Sequence, residues 1–350
     1  MILLIVESFL VFIIVAVTTV NGYVIPLTGA FNRRQLEVQA HRGGLGMRTE
    51  SSLWAFSKAM EIGVDILEMD TVFTKDGIPV IWHDHSISET KCRGEFVGSY
   101  IANLTLEQVK TLSCDLQLVE HPQAELHANT RIATLEEVLD MIDCYGDKKI
   151  RINLETKIDP ENQYQTLPVD MYINDIVPIL MKRDFASRTT IQSFDWRTLI
   201  GIKQKFPEIV TVALLDDTTI IQVNGSYPWL GGVDLNVFDG DWVAAAASIG
   251  ASILSPVHGI PSNQTINTPG YEPFVTKDIV WRSHKHGMSV IPWTVDHEVT
   301  IAKLIDDGVD GIISNYPERV VWVAQEKIGF SKRSGSRHRP ECLTKASARS

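Results

Sequence analysis

Residues 36–70 read LEVQAHRGGLGMRTESSLWAFSKAMEIGVDILEMD, and this stretch decides the fold. Leu36–Ala40 reads as an apolar strand, Ser51–Ile62 as an amphipathic helix and Val64–Asp70 as a second strand, which makes one β-α-β unit. The same alternation continues to about Val323. Further strands are expected at Lys149–Glu155, Thr189–Gln192, Val210–Leu215, Ala251–Ser255, Ser289–Thr294 and Val309–Ser314. Helical patterns lie between them at Leu135–Tyr145, Pro168–Lys182, Trp196–Phe206, Asp241–Ile249, Lys277–His286 and Asp296–Asp307. Units of this length imply a parallel sheet, and eight of them close most simply into a TIM (β/α)8 barrel over residues 36–325. A doubly wound open sheet is the competing arrangement. The glycines of His41–Gly46 have the wrong spacing for a dinucleotide fingerprint.

Polar side chains sit where the apolar strands run out, which is where α/β enzymes place their chemistry. The first strand runs into His41-Arg42-Gly43, the second carries Glu68 and Asp70, and Ile81-Trp82 leads into His83-Asp84. Carboxylates at i and i+2 of a strand share a face, so Glu68 and Asp70 can hold one hard cation together. Buried without a partner, each would cost several kcal/mol. Histidine suits proton transfer near neutral pH, and arginine suits a phosphate. The set reads as metal-assisted phosphate-ester chemistry.

Residues 84–134 break the alternation and read as an insertion after the second strand, over the barrel mouth. They carry Cys92 and Cys114, the favoured disulfide pair, while Cys144 and Cys342 could form a second. No cysteine pair has zinc or redox-motif spacing. Residues 1–22 are apolar enough for a signal peptide or an anchor, although no Lys or Arg precedes Arg33. Sequons at Asn103, Asn224 and Asn263 fit export to a secreted or cell-surface location. Residues 327–350 are basic and poor in apolar side chains, so a disordered tail is expected. A formal charge of −11 argues against a nucleic-acid partner. No protein partner is expected.

The order of His41-Arg42-Gly43, Glu68-x-Asp70, Thr74-Lys75-Asp76-Gly77, His83-Asp84, Glu155-Thr156-Lys157, Gln192-Ser193-Phe194 and Trp293-Thr294-Val295 resembles the glycerophosphodiester phosphodiesterase family. Gly308–Ser314 is similar to that family's last strand, and the insertion's cysteines resemble its secreted eukaryotic branch. The resemblance implies a TIM barrel and metal-dependent hydrolysis of glycerophosphodiesters such as glycerophosphocholine to glycerol 3-phosphate and an alcohol. It implies His41 and His83 as the acid–base pair, Glu68, Asp70 and Glu155 as metal ligands, and Arg42 and Lys157 at the phosphate. Mg²⁺ or Ca²⁺ would suit three carboxylates better than zinc. A neighbouring substrate hydroxyl would attack first, giving a cyclic phosphate that water then opens.

The sequence departs from the family pattern at Glu50-Ser51-Ser52, usually Glu-Asn-Thr, and at Asn315, often Asp. Gln192, Phe194, His258 and Trp293 are candidate pocket residues, each with a plainer reading as barrel packing. Lys157 could satisfy Glu155 without metal. A phospholipase D-like enzyme acting on lysophospholipid or sphingomyelin is the competing activity. A non-catalytic binding module on the same fold is the third reading.

Overall fold

The computed structural model describes residues 36–331. The expected export segment, Cys342 and the tail beyond residue 331 lie outside the described residues. The strands are β1 (Glu37–Ala40), β2 (Ile66–Phe73), β3 (Pro79–Ile81), β4 (Arg151–Thr156), β5 (Thr189–Ser193) and β6 (Val210–Leu215). They continue as β7 (Ile253–Pro256), β8 (Gly259–Ile260), β9 (Glu272–Pro273), β10 (Ser289–Val290) and β11 (Gly311–Ser314). The helices are α1 (Leu53–Ile62), α2 (Leu106–Val109), α3 (Leu135–Tyr145), α4 (Val169–Lys182) and α5 (Trp196–Lys205). After them come α6 (Trp242–Ser248), α7 (Lys277–Lys285), α8 (Glu298–Asp307) and α9 (Pro317–Ile328).

Parallel pairing runs in the order β10-β7-β6-β5-β4-β2-β1-β11. The two ends meet through backbone N–H groups of Asp310, Ile313 and Val295, donating to Val290, Pro292 and Ile313 at 2.9, 3.0 and 2.9 Å. The sheet is therefore a nearly closed eight-stranded barrel and not an open doubly wound sheet. Strand alternation sorts the side chains. Val38, Ala40, Leu67, Met69, Ile152 and Leu154 point outward into the main core beneath the helices. Gln39, Glu68, Asp70, Asn153, Glu155 and Gln192 occupy the intervening positions and face inward. On the opposite wall Val212, Ile253, Ile291 and Ile313 form a small apolar cluster of their own. One half of the barrel interior is thus polar and the other apolar.

Helix signals fall where the sequence places them. Ser52 caps α1 by accepting from Ala55 N–H at 3.0 Å, and Gly63 closes it in the left-handed conformation. Thr134 and Glu137 form a capping box on α3. Helix α9 was not anticipated from the sequence, and it carries the folded chain to Ile328, into the expected tail.

The insertion is preceded by a hairpin that the sequence did not reveal. Strand β2 runs three residues past Asp70 and returns antiparallel as β3 through the turn Thr74–Gly77. Beyond β3, Ile87, Cys92, Ile101, Val109, Leu112 and Cys114 pack with Val72, Val80 and Trp82 into a separate apolar cluster. Cys92 and Cys114 are joined by a disulfide. Cys144 is also disulfide-bonded, and no described cysteine is free.

Candidate active site

The site is built by register. Strands β2 and β4 align Asp70 with Glu155, and β4 and β5 align Glu155 with Gln192. Glu68, Asp70 and Glu155 each bring a carboxylate oxygen within 4.8 Å of the others, and all three are buried. Neither oxygen of Asp70 has a hydrogen-bond partner. Three buried carboxylates so close together repel strongly unless a cation or protons intervene, so the donor set fits a hard divalent cation held by oxygen ligands.

The electrostatics follow from that crowding. Burial, with Asp70 and Glu155 nearby, pushes the Glu68 carboxyl well above its ordinary range. Burial raises Glu155 to about 7, with Asp70 adding to the rise and Lys157 opposing it. Asp70 goes the other way. Burial would raise it, but His83, Arg42, Lys157 and His41 bring it down to about 2. Lys157 lies 2.7 Å from Glu155 Oε1 and 4.0 Å from Asp70 Oδ1, so it does pair with Glu155, as the plainer reading allowed. The pair leaves two further carboxylates, so it does not neutralise the cluster.

Beneath the carboxylates lies a buried hydrogen-bonded layer. Gln192 Nε2 donates to Glu68 Oε1 at 2.7 Å, and Asn153 Nδ2 donates to Gln192 Oε1 at 2.8 Å and to Gln39 Oε1 at 3.0 Å. Thr190 Oγ1 completes it by donating to Asn153 Oδ1 at 2.7 Å. Gln192 is thus an orienter of Glu68 as well as a lining residue. The roles of Gln39 and Asn153 were missed, although both stand out as amides in otherwise apolar strands.

Arg42 takes a left-handed conformation at φ 50°, a costly choice for a non-glycine residue. It turns the Arg42 N–H onto Glu68 Oε2 at 2.9 Å, and the guanidinium reaches Glu50 at 2.8 Å and Asp70 at 3.4 Å. Gly43 follows at φ 81°, where a Cβ would meet Ala55 and the Phe56 nitrogen within 3.0 Å, so only glycine fits. Ser51 also stands at φ 52°, a conformation the family's usual Asn adopts more readily, while Ser52 retains the capping hydroxyl.

His41 Nδ1 lies 2.6 Å from Asn315 Oδ1. The Asn315 amide is oriented by Asp296, whose Oδ2 accepts from Asn315 Nδ2 at 2.7 Å. Its oxygen must therefore face His41 and accept from Nδ1–H, which leaves the Nε2 lone pair of neutral His41 directed toward the cleft, 3.9 Å from Glu68. Burial, reinforced by Arg42, lowers His41 to about 4. Burial, Arg42 and Lys157 hold His83 well below its ordinary range, and its Nδ1 lies 2.7 Å from Asp84. One histidine is backed by an amide and the other by a carboxylate.

His41, Arg42, Glu68, His83, Glu155, Lys157, Gln192, Phe194 and Trp293 line one cleft. Phe194 stacks edge-on to Trp293 at 5.3 Å and forms part of its wall. Asp70 completes the set from the carboxylate cluster. His258 is not brought to the cleft. Its ring lies 2.8 Å from Tyr271 Oη and 2.8 Å from the Ser262 carbonyl, packed in the β8–β9 hairpin. A histidine after a strand end read as mouth-lining, but the chain turns there and uses the ring to fasten the turn. His85 contacts Gln165 at 2.8 Å, an anchoring role.

Residues 41–319 match the family model described as the Glycerophosphoryl diester phosphodiesterase family. A glycerophosphodiester phosphodiesterase of Caldanaerobacter subterraneus subsp. tengcongensis is 27% identical over 285 residues, 81% of this chain and 96% of its own length. A solved structure from Silicibacter pomeroyi shares the fold at TM-score 0.70 and 25% identity, covering 85% of this chain and 95% of that one. An Oleispira antarctica phosphodiesterase, solved in complex with the product sn-glycerol-3-phosphate, matches at TM-score 0.60 and 23% identity. That match covers 83% of this chain and 97% of the other.

Proposed function

This chain belongs to the glycerophosphoryl diester phosphodiesterase family and is a hydrolase of that kind, and from that premise we propose that it cleaves small glycerophosphodiesters such as glycerophosphocholine to glycerol 3-phosphate and an alcohol. The observation that carries the reading is the meeting, in one cleft, of two histidines, two cations and a buried carboxylate triad. The sn-glycerol-3-phosphate held by the Oleispira antarctica enzyme is the product this reaction would give.

Glu68, Asp70 and Glu155 would hold Mg²⁺ or Ca²⁺, whose charge stabilises negative charge developing on the phosphate oxygens. Arg42 and Lys157 meet the diester anion, which offsets the cations that hold His83 neutral. His41, backed by neutral Asn315, acts as base through Nε2 and takes the proton of the attacking glycerol hydroxyl. His83, whose imidazolium Asp84 can balance, gives its Nε2 proton to the departing alcohol oxygen as that P–O bond breaks. Water then opens the resulting cyclic phosphate with the two roles exchanged.

The Cys92–Cys114 disulfide and the exposed positions of Asn103, Asn224 and Asn263 support a secreted or cell-surface location. The test incubates purified protein with glycerophosphocholine and lysophosphatidylcholine, beside His41→Ala. The expected result is glycerol 3-phosphate from the acyl-free diester, slowed by about 10²–10⁴ in the variant. Turnover of the lysolipid alone would favour the phospholipase D-like activity, and none on either would favour the binding module.

A further inference from the structure

Lys91 belongs to the insertion, yet its ammonium lies between two carboxylates of the site. Nζ is 2.8 Å from Asp84 Oδ2 and 2.7 Å from Glu50 Oε1. The other oxygen of Asp84 meets His83 Nδ1 at 2.7 Å, and the other oxygen of Glu50 meets Arg42 Nη1 at 2.8 Å. Arg42 Nε in turn lies 3.4 Å from Asp70. Charges of alternating sign therefore run from Asp84 through Lys91, Glu50 and Arg42 to Asp70, with His83 at one end. Among the described residues no other ion pair reaches Asp84 Oδ2 or Glu50 Oε1.

The lysine is held for this task. Its side chain is 15% exposed and its ammonium lies 5.5 Å from the centre of the Trp82 ring. Its carbonyl accepts from Leu116 N–H at 3.2 Å, and the next residue, Cys92, is tied to Cys114. A flexible side chain would lose much rotamer freedom in such a place. Here the backbone is fixed on both sides and the charge is shared by two acids.

We infer that Lys91 is a positioning residue, through which the disulfide-bonded insertion sets His83, by way of Asp84, and Arg42, by way of Glu50. The inference rests on the phosphodiesterase reading above. Without the lysine, Asp84 and Glu50 each lose a counter-charge. His83 and Arg42 are then left without a fixed partner geometry, and displacements of about 1 Å in such groups can cost about 10² in rate.

The test is steady-state kinetics of full-length Lys91→Met, Lys91→Arg, Asp84→Asn and the double variant Asp84→Asn/Lys91→Met on glycerophosphocholine, with thermal melts of each. Lys91→Met is expected to lose about 10² in kcat with KM moved less than about threefold. Lys91→Arg should recover most of that loss. The double variant should be no slower than the poorer single one, because both changes cut the same chain. Lys91→Gln, which leaves a neutral hydrogen-bond donor between the two acids and keeps Glu50 on Arg42, gives the same reading if Lys91→Met folds poorly. A folded Lys91→Met with wild-type kcat, or losses that multiply in the Asp84→Asn double, would overturn the inference. Wild-type turnover in the same assay tests the phosphodiesterase reading separately, so an active wild type with an unaltered variant rejects the lysine alone.

Discussion

Glu155 and Glu68 make the site sensitive to acid. Burial and crowding raise Glu155 to about 7 and push Glu68 well above its usual range, while Asp70 stays ionised at about 2. A carboxyl whose pKa is higher folded than unfolded favours folding at low pH and loses that contribution as pH rises through its folded value. Glu68 and Glu155 therefore weaken the cation-free protein between about pH 4.5 and 7 and above. Asp70, lowered, contributes in the opposite direction above its unfolded value. A cation needs the ionised triad, so binding expels protons and strengthens as pH rises. Melting temperatures with and without Mg²⁺ or Ca²⁺ at pH 6 and pH 8 check this. The cation should raise Tm more at pH 8, and an equal or larger gain at pH 6 would contradict the ligand assignment.

The insertion carries an apolar cluster of its own, separate from the main core. Cys92 and Cys114 close a loop of sequence separation 22, for which chain entropy gives about 3 kcal/mol. Because the cluster is separate, Cys92→Ala/Cys114→Ala should loosen residues 84–134 while the barrel strands keep their protection. Hydrogen exchange would show it, and uniform loss of protection would mean that insertion and barrel unfold as one. The cysteines and the broken alternation made the insertion legible in the sequence. The β2–β3 hairpin before it was not, because β3 is three residues long and begins with Pro79, a residue that cannot donate to a ladder. Likewise Ser289–Thr294 reads as one strand, but regular strand covers only Ser289–Val290, and the pairing beyond it continues as single bonds around Pro292, which lacks an N–H.

At the scale of the molecule, the barrel interior divides into a polar wall on β1, β2, β4 and β5 and an apolar wall formed by Val212, Ile253, Ile291 and Ile313. Glu68 and Asp70 were legible because two carboxylates on one face of an apolar strand require a partner. The links from His41 through Asn315 to Asp296, and from His83 through Asp84 and Lys91 to Glu50, were not, because they join residues far apart in sequence or on different elements. The polar wall places the carboxylates beneath both histidines, so turnover should depend on all of them. The most direct measurement follows glycerophosphocholine by ³¹P NMR with chelator-treated protein, before and after Mg²⁺ or Ca²⁺ is restored. Metal-dependent cleavage requires no change in the diester until cation is added, then its replacement by glycerol 3-phosphate. Persistent turnover in chelator, or an unchanged diester after cation is restored, would contradict it.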